Sequence, residues 1–230
     1  MLIKGLQKLT LLDFPEKMAC TVFTFGCNFR CPFCHNASLV LADRATDDLM
    51  TEEEFFSFLQ KRRGILEGVC VTGGEPTLQP DLLPFLQRIK ALGYAVKLDT
   101  NGYRPEVLKA AVEAELVDYV AMDIKNSLAR YGETVGISSF DTTPVQASAA
   151  FLLEGHVPFE FRTTLVAGLH TPADLAEVGA WLAGNEAFFL QGFVDSGDLI
   201  REGLGALSTD ETRASLDALR QYVPNAQIRG

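Results

Sequence analysis

Six short apolar runs separated by helical patterns constrain the fold of this chain more than any other feature. The runs are rich in β-branched and aromatic residues and are apolar at successive positions, as strands buried on both faces are. They cover residues 20–25, 68–72, 95–100, 119–124, 158–165 and 187–193. Repeated strand–helix–strand units form right-handed crossovers and a parallel sheet. The sequence therefore predicts an α/β fold.

Helix start and stop signals lie between these runs. Thr51 and Glu54 form a capping box that predicts a helix continuing through Arg63. Proline and hydroxyl residues mark four further starts, at Pro80, Pro105, Thr171–Pro172 and Ser208. Gly93 and Gly184 are predicted to end the first and third of these helices. The final residues, "AQIRG" (226–230), predict a short last strand.

Polar and glycine residues gather where the predicted strands end. They are the cysteines after the first strand, then Gly73–Pro76, Asp99–Gly102, Asp123 and Lys125, Arg162 and Thr163 near the fifth, and Gln191. In parallel barrels the chemistry collects at these strand ends. A doubly wound open sheet is the alternative, but its phosphate loop G-x-G-x-x-G is missing after the first strand. The pattern favours a curled parallel sheet.

Charge and composition restrict the partners. The chain has 30 acidic and 20 basic residues and a net charge of −10, which disfavours nucleic acid and anionic membranes. No apolar run reaches the ~18 residues of a membrane span, and the start does not resemble a secretory signal. A cytoplasmic protein is therefore expected. Its five cysteines are then expected to be reduced thiols that serve a metal or catalysis.

Three of the five cysteines, Cys27, Cys31 and Cys34, lie within eight residues with the spacing Cys-x3-Cys-x2-Cys. Structural zinc prefers four closed ligands, usually from two separated Cys-x2-Cys pairs. His35 is a poor fourth ligand, because adjacent residues rarely both reach one tetrahedral ion. A cubane [4Fe–4S] cluster normally takes four thiolates, so three would leave one iron open.

The other two cysteines have a different predicted role. Cys20 and Cys70 lie inside the first and second predicted strands, where we expect them to be small buried hydrophobes. Phe55, Phe56 and Leu59 at helical spacing are likewise expected in the core.

The cysteine motif resembles a known family. "CNFRCPFC" (27–34) is the signature of the radical S-adenosylmethionine (SAM) enzymes, and the resemblance continues through "GGEPTLQ", "LDTNG" and "MDIKN" in the expected order. Over nearly the whole chain the sequence is similar to the glycyl-radical-enzyme activases. "IKGLQKLTLLDFPEK" with "GCNFRCPFCHN" looks most like the activating proteins of anaerobic ribonucleoside-triphosphate reductase, in the longer form that resembles pyruvate formate-lyase activase.

The resemblance implies a fold and a chemistry. The fold would be a single domain with an N-terminal extension (1–18) and a partial, laterally open parallel (β/α)6 barrel (19–230). A [4Fe–4S] cluster on Cys27, Cys31 and Cys34 would bind SAM at its open iron and cleave it reductively. The resulting 5′-deoxyadenosyl radical would take a hydrogen atom from a glycine of a large glycyl-radical enzyme. A low-potential donor such as flavodoxin or ferredoxin would supply the electron.

The resemblance also implies which residues bind SAM. They are Phe33, Cys34 and His35 near the adenine, Gly73 and Gly74 at the amino group, Glu75 at the same turn, and Asp99, Asp123, Ile124 and Lys125 near the methionyl, carboxylate or ribose groups. Glu75 has an alternative role, which is to bond backbone amides and hold its own turn. Asp123 and Lys125 could also be a surface ion pair.

The resemblance extends to a possible cation position and departs from the family pattern after the sixth strand. Some activases also hold a monovalent cation beside the SAM carboxylate, and Asp99, Thr100 and Asp123 match the positions concerned. Pyruvate formate-lyase activase has a ribose-contacting histidine after the sixth strand, where this chain has "FLQGFVD" and offers Gln191. His156 and His170 lie in loop-like contexts and are expected to be solvated.

Other functions are also compatible with the sequence. The same cluster could serve a small-molecule substrate, as in deazaguanine-type enzymes. Peptide-modifying radical enzymes usually add a second cysteine-rich domain, and no cysteine follows Cys70. A zinc-stabilised binding module is the alternative outside enzymes. Two long segments, 126–143 and 195–208, are predicted to be loops at the active rim that could gate a protein substrate.

Overall fold

A computed structural model describes residues 1–41 and 49–229. Eight strands form one sheet whose order follows the chain: β1 (Ile3–Thr10), β2 (Ala19–Thr24), β3 (Gly68–Gly73), β4 (Ala95–Thr100), β5 (Tyr119–Asp123), β6 (Phe159–Leu165), β7 (Phe188–Gly192) and β8 (Gln227–Arg229). β2–β3, β3–β4, β6–β7 and β7–β8 pair in parallel. The order has two ends, β1 and β8, so the sheet does not close. The predicted α/β class with an open parallel sheet is confirmed.

Helices connect successive strands. They are α1 (Ala37–Val40), α2 (Glu52–Lys61), α3 (Leu82–Ala91), α4 (Pro105–Glu113), α5 (Tyr131–Thr134), α6 (Thr143–Leu153), α7 (Pro172–Trp181) and α8 (Thr209–Arg220), with a 3-10 turn at Pro76–Leu78. The capping box of Thr51 and Glu54 opens α2 as predicted, and similar boxes open α7 and α8. No helix in the described parts of the chain is long and apolar enough to cross a membrane.

Four of these elements were not predicted: β1, α6 and the short helices α1 and α5. β1 pairs antiparallel with β2, and only its end residues, Ile3 and Thr10, are buried, so the continuous apolar pattern of a buried strand is absent. The predicted extension 1–18 therefore contains a strand of the sheet. α6 is apolar on most sides, and Thr142 makes no side-chain cap, so neither periodicity nor a capping signal marks it.

The chain divides into two compact units. The first contains residues 1–28, 38–121 and 156–158, and the second contains residues 29–37, 122–155 and 159–230. Cys20 and Cys70 are fully buried in the first unit, as predicted. Phe55 and Phe85 stack at 5.2 Å in its core, and Phe56 and Leu59 are buried with them. In the second unit, Phe161 of β6 packs near Phe188 of β7.

Candidate active site

The turn after β3 packs directly on the backbone that leads to Cys27. Gly74 N donates to Thr24 O at 2.9 Å, and Glu75 N donates to Gly26 O at 2.8 Å. A Cβ on Gly73 would lie 2.2 Å from Thr24 N, and one on Gly74 would lie 2.0 Å from Gly26 O. No side chain fits such gaps, so both positions require glycine. The two glycines therefore let the "GGEP" turn pack on the start of the cysteine loop. This structural role is independent of their predicted contact with the SAM amino group.

Glu75 is a buried hub between two strand ends, with 1% of its surface exposed. Its Oε1 accepts from Thr77 N at 3.0 Å, Thr77 Oγ1 at 2.5 Å and Thr100 Oγ1 at 2.7 Å, and its Oε2 accepts from Asn101 N at 2.7 Å. Burial raises the pKa of Glu75, while these donors oppose the rise. The alternative role predicted for Glu75, holding its own turn through backbone amides, is confirmed.

Asn101 extends this network to the first cysteine. Its Nδ2 donates to Asn28 Oδ1 at 2.8 Å and lies 3.9 Å from Cys27 Sγ. Asn101 belongs to the predicted strand-end group Asp99–Gly102, but no contact with the cysteine loop was predicted for it, and Asn28 was not singled out. Glu75 thus fixes Asn101, and Asn101 lies against the half-buried thiol of Cys27.

The second unit holds the other two cysteines in a tight turn, in which Cys34 N donates to Cys31 O at 3.0 Å. Cys31 is buried and Cys34 half-buried. Burial raises the pKa of the Cys31 thiol to about 11 and also raises that of Cys34, while the Lys125 ammonium acts to lower both. Iron binding must release these protons, because the thiolate is the ligand.

Backbone contacts from the segment after β7 hold this turn. Arg201 N donates to Pro32 O at 2.9 Å, Ser196 Oγ donates to His35 O at 2.8 Å, and Ala37 N donates to Asp198 O at 3.0 Å. The His35 ring also lies 5.6 Å from the Phe193 ring. Part of the predicted rim loop 195–208 is therefore a structural support of the cysteine loop.

Part of the other predicted rim loop, 126–143, is buried in the core of the second unit. Its α5 is short, and Tyr131 and Thr134 are buried. Phe29 and Phe140 pack edge-on at 5.3 Å, and Tyr131 stacks on Phe140 at 5.3 Å. The exposed positions of this segment lie mainly between 136 and 143.

Lys125 follows β5 within a charged cluster. Its Nζ lies 3.0 Å from Asp123 Oδ2, and Arg162 Nε donates to Asp123 Oδ1 at 3.0 Å. Burial acts to raise the Asp123 pKa, but Lys125 and Arg162 outweigh it and lower the value to about 2. Burial likewise acts to lower the Lys125 pKa, and Asp123 raises it above its usual range. Both groups are thus charged at neutral pH.

His170 connects this cluster to the cysteine loop. It is buried, so the prediction that it is solvated was wrong. Its Nδ1 accepts from Val166 N at 3.1 Å, which leaves Nε2–H to donate to Lys125 O at 2.8 Å. The ring packs edge-on against the buried Phe33 at 6.2 Å. Burial lowers the His170 pKa, so the neutral ring is favoured. His170 is buried because it hydrogen-bonds the backbone of Val166 and Lys125. The sequence around His170 does not indicate these contacts.

The remaining predicted residues occupy the expected strand ends. Asp99 is paired with Lys97 on β4, and Ile124 is buried, with its carbonyl accepting from Thr163 Oγ1 at 2.7 Å. Gln191 is half-buried near the end of β7, in register with Thr164 and Arg229. The contacts of these residues with SAM stay predictions.

The thiols suit an iron–sulfur cluster. None of the three is in a disulfide, and thiolates are the soft ligands that such clusters take. In residues 1–41 and 49–229, no group of three or more His, Cys, Asp or Glu side chains converges to hold one metal ion. A cubane does not require this convergence, because each thiolate binds a different iron.

Comparison with known proteins defines the family. The Radical SAM superfamily profile matches residues 21–143, more than half of the chain. This chain therefore belongs to the radical SAM superfamily, whose enzymes use a [4Fe–4S] cluster and SAM. A radical SAM methyltransferase from Sphaerobacter thermophilus has a similar fold, with a TM-score of 0.71 at 14% identity over 96% of this chain and 68% of that one.

Two curated relatives are more similar in sequence. A Methanocaldococcus jannaschii protein named "Putative glycyl-radical enzyme activating enzyme" is 30% identical over 235 residues, covering 99% of this chain and 95% of the relative. A 7-carboxy-7-deazaguanine synthase of Koribacter versatilis is 33% identical over 139 residues, covering 59% of this chain and 56% of the relative.

Proposed function

We propose that this chain is a glycyl-radical-enzyme activase, which cleaves SAM reductively and removes a hydrogen atom from a glycine of a partner enzyme. The observation that carries the proposal is the similarity to the M. jannaschii relative along 99% of this chain and 95% of that protein. When bound, the cluster and SAM supply the electron-transfer and hydrogen-abstraction chemistry.

A small-molecule substrate is the second candidate. The 7-carboxy-7-deazaguanine synthase match favours it, but that match covers only 59% of this chain. The full-length similarity therefore favours a protein substrate.

In this proposal the chain's own residues bind and orient the cofactors. Cys27, Cys31 and Cys34 bind the cluster. Lys125 presents an ammonium, held by Asp123, to the SAM carboxylate or ribose hydroxyls. His170 fixes the backbone carbonyl of Lys125, which orients the end of β5.

Features of the segment after β7 are consistent with a protein substrate. Ser196, Asp198 and Arg201 hold the cysteine loop, and the neighbouring Val194 is 68% exposed. A partner that docks on Val194 and the exposed Glu202 would lie beside the segment that orders Cys31 and Cys34. Recognition would depend on such local contacts, because the net charge of −10 gives no general attraction to an acidic partner.

The proposed partner is anaerobic ribonucleoside-triphosphate reductase. The support is the resemblance of "KGLQKLTLLDFP" (4–15) to the activases of that enzyme. Pyruvate formate-lyase or another glycyl-radical enzyme is the alternative partner. Flavodoxin or ferredoxin is the proposed electron donor.

Anaerobic reconstitution with each candidate partner tests the proposal. The iron-loaded protein, SAM and a reductant are mixed with the reductase or with formate-lyase, and electron spin resonance detects a glycyl radical. The reductase should gain the radical, and a Cys31→Ala protein should give none. A radical on formate-lyase alone would contradict the partner assignment, and SAM cleavage with no radical on any glycyl-radical enzyme would contradict the activase function.

The segment after β7 requires point substitutions in this assay. Removing 195–208 would also remove the contacts that hold the cysteine loop. Val194→Ser and Glu202→Lys change exposed side chains while leaving Ser196, Asp198 and Arg201 intact. These variants should cleave SAM normally without a partner and activate the partner more slowly. Unchanged activation would exclude this segment from the interface.

A further inference from the structure

A lysine is buried within the first unit. Lys97 lies in the middle of β4, and 1% of its surface is exposed. Its Nζ contacts Asp99 Oδ1 and lies 4.0 Å from Sγ of Cys70, its register partner on β3. A buried ammonium requires a counterion. The Asp99 carboxylate, two residues along the same strand, provides it.

Asp99, Thr100 and Asp123, which match the monovalent-cation positions of some activases, each have partners within their own unit. Asp99 is paired with Lys97. Thr100 Oγ1 donates to Glu75 Oε1 at 2.7 Å and accepts from Gly102 N at 3.1 Å. In the second unit, Asp123 accepts from Lys125 and Arg162, each at 3.0 Å.

These partners do not fit an added alkali-metal ion. A cation site needs oxygen atoms that can replace the hydration shell of the ion. Here the Asp99 and Asp123 carboxylates each form an ion pair with a lysine or arginine. A further cation at either carboxylate would be repelled by that positive charge. The contacts of these residues therefore do not fit a monovalent-cation site, although their positions match those of activases that hold one.

We propose that Lys97 is a fixed internal cation that neutralises and positions Asp99, so that this enzyme binds SAM without an alkali-metal ion. An ammonium is a compact point charge with three donors, comparable to a small monovalent ion. Because it is covalently attached to β4, its occupancy does not depend on ion concentration. Lys97 acts through Asp99 and is therefore a positioning residue.

SAM affinity in different salts tests the proposal on the cluster-loaded enzyme. Calorimetry under anaerobic conditions measures the dissociation constant in potassium, sodium or choline chloride at equal ionic strength. The three values should agree within about twofold, since choline is too large to enter a carboxylate site. An affinity that falls about tenfold or more in choline chloride would overturn the proposal.

Substitutions of Lys97 give the complementary test. Lys97→Met keeps the length and removes the charge, so SAM affinity should fall about tenfold in choline chloride and recover with potassium. Lys97→Arg should keep the salt independence. Lys90→Met, which removes the surface pair with Asp118, is the matched control and should bind SAM normally.

Two results with Lys97→Met would refute the positioning role. SAM affinity equal to that of the wild type in all three salts would show that the charge is not needed. Affinity lowered equally in all three salts would show a purely structural role. If the variant does not fold, the salt comparison on the wild-type enzyme decides alone.

Discussion

Replacing Glu75 with glutamine should loosen the first cysteine while removing almost no volume. In the native protein, two backbone N–H groups and two hydroxyls donate to the buried carboxylate. The glutamine carbonyl can keep the partners of Oε1. Its amide group would then face Asn101 N, which now donates to Oε2 at 2.7 Å, so two donors would oppose each other.

The magnitude follows from that lost bond. A buried donor left unpaired costs about 1–3 kcal/mol, and the other three bonds weaken without the charge. Relief from burying a carboxylate offsets part of this, so we expect a loss of about 2 kcal/mol. For a chain of this size that corresponds to a melting temperature lower by about 4–8 °C.

Circular dichroism on the iron-free protein measures this shift. Glu177→Gln, an exposed glutamate in α7, is the matched control and should melt like the wild type. Because Asn101 lies against Asn28 and Cys27, the loaded Glu75→Gln protein should also lose iron faster to a chelator. A variant with wild-type melting and wild-type iron retention would refute the hub role of Glu75.

Three further predictions follow from the site. Cys31→Ala should prevent cluster assembly, measured as iron per chain, whereas Cys70→Ala should retain it; equal iron loss would contradict the three-cysteine assignment. Lys125→Ala should weaken SAM binding by about 1–3 kcal/mol in calorimetry at unchanged iron content; wild-type affinity would place Lys125 outside the pocket. Since burial lowers the His170 pKa below 6.5, the unfolded chain binds that proton first, and stability should fall as the pH drops through this range. His170→Gln should flatten this dependence in melting experiments, and an unchanged profile would refute it.

Local signals were sufficient for most of the fold. The six buried strands were predicted because each is a continuous apolar run, and α2 because Thr51 and Glu54 define its start. α6 was missed since it lacks both an amphipathic pattern and a side-chain cap. Pro144 near its start was the available signal.

The site could be predicted where its residues are close together in the sequence. Cys27, Cys31 and Cys34 are within eight residues, so their cluster needs no knowledge of the fold. His170 could not be predicted, because its partners at Lys125 and Phe33 are distant in sequence. Lys97 could have been noticed, since residues i and i+2 of a strand share a face and place it beside Asp99.

Transfer of a labelled hydrogen tests the central claim most directly. The candidate reductase is prepared with α-deuterated glycine and incubated anaerobically with the iron-loaded enzyme, SAM and reductant. Mass spectrometry then measures deuterium in the 5′-deoxyadenosine formed. An activase should produce 5′-deoxyadenosine with one deuterium atom, in proportion to the glycyl radical on the partner. Unlabelled 5′-deoxyadenosine alongside normal SAM cleavage, with this and other glycyl-radical enzymes, would contradict the account.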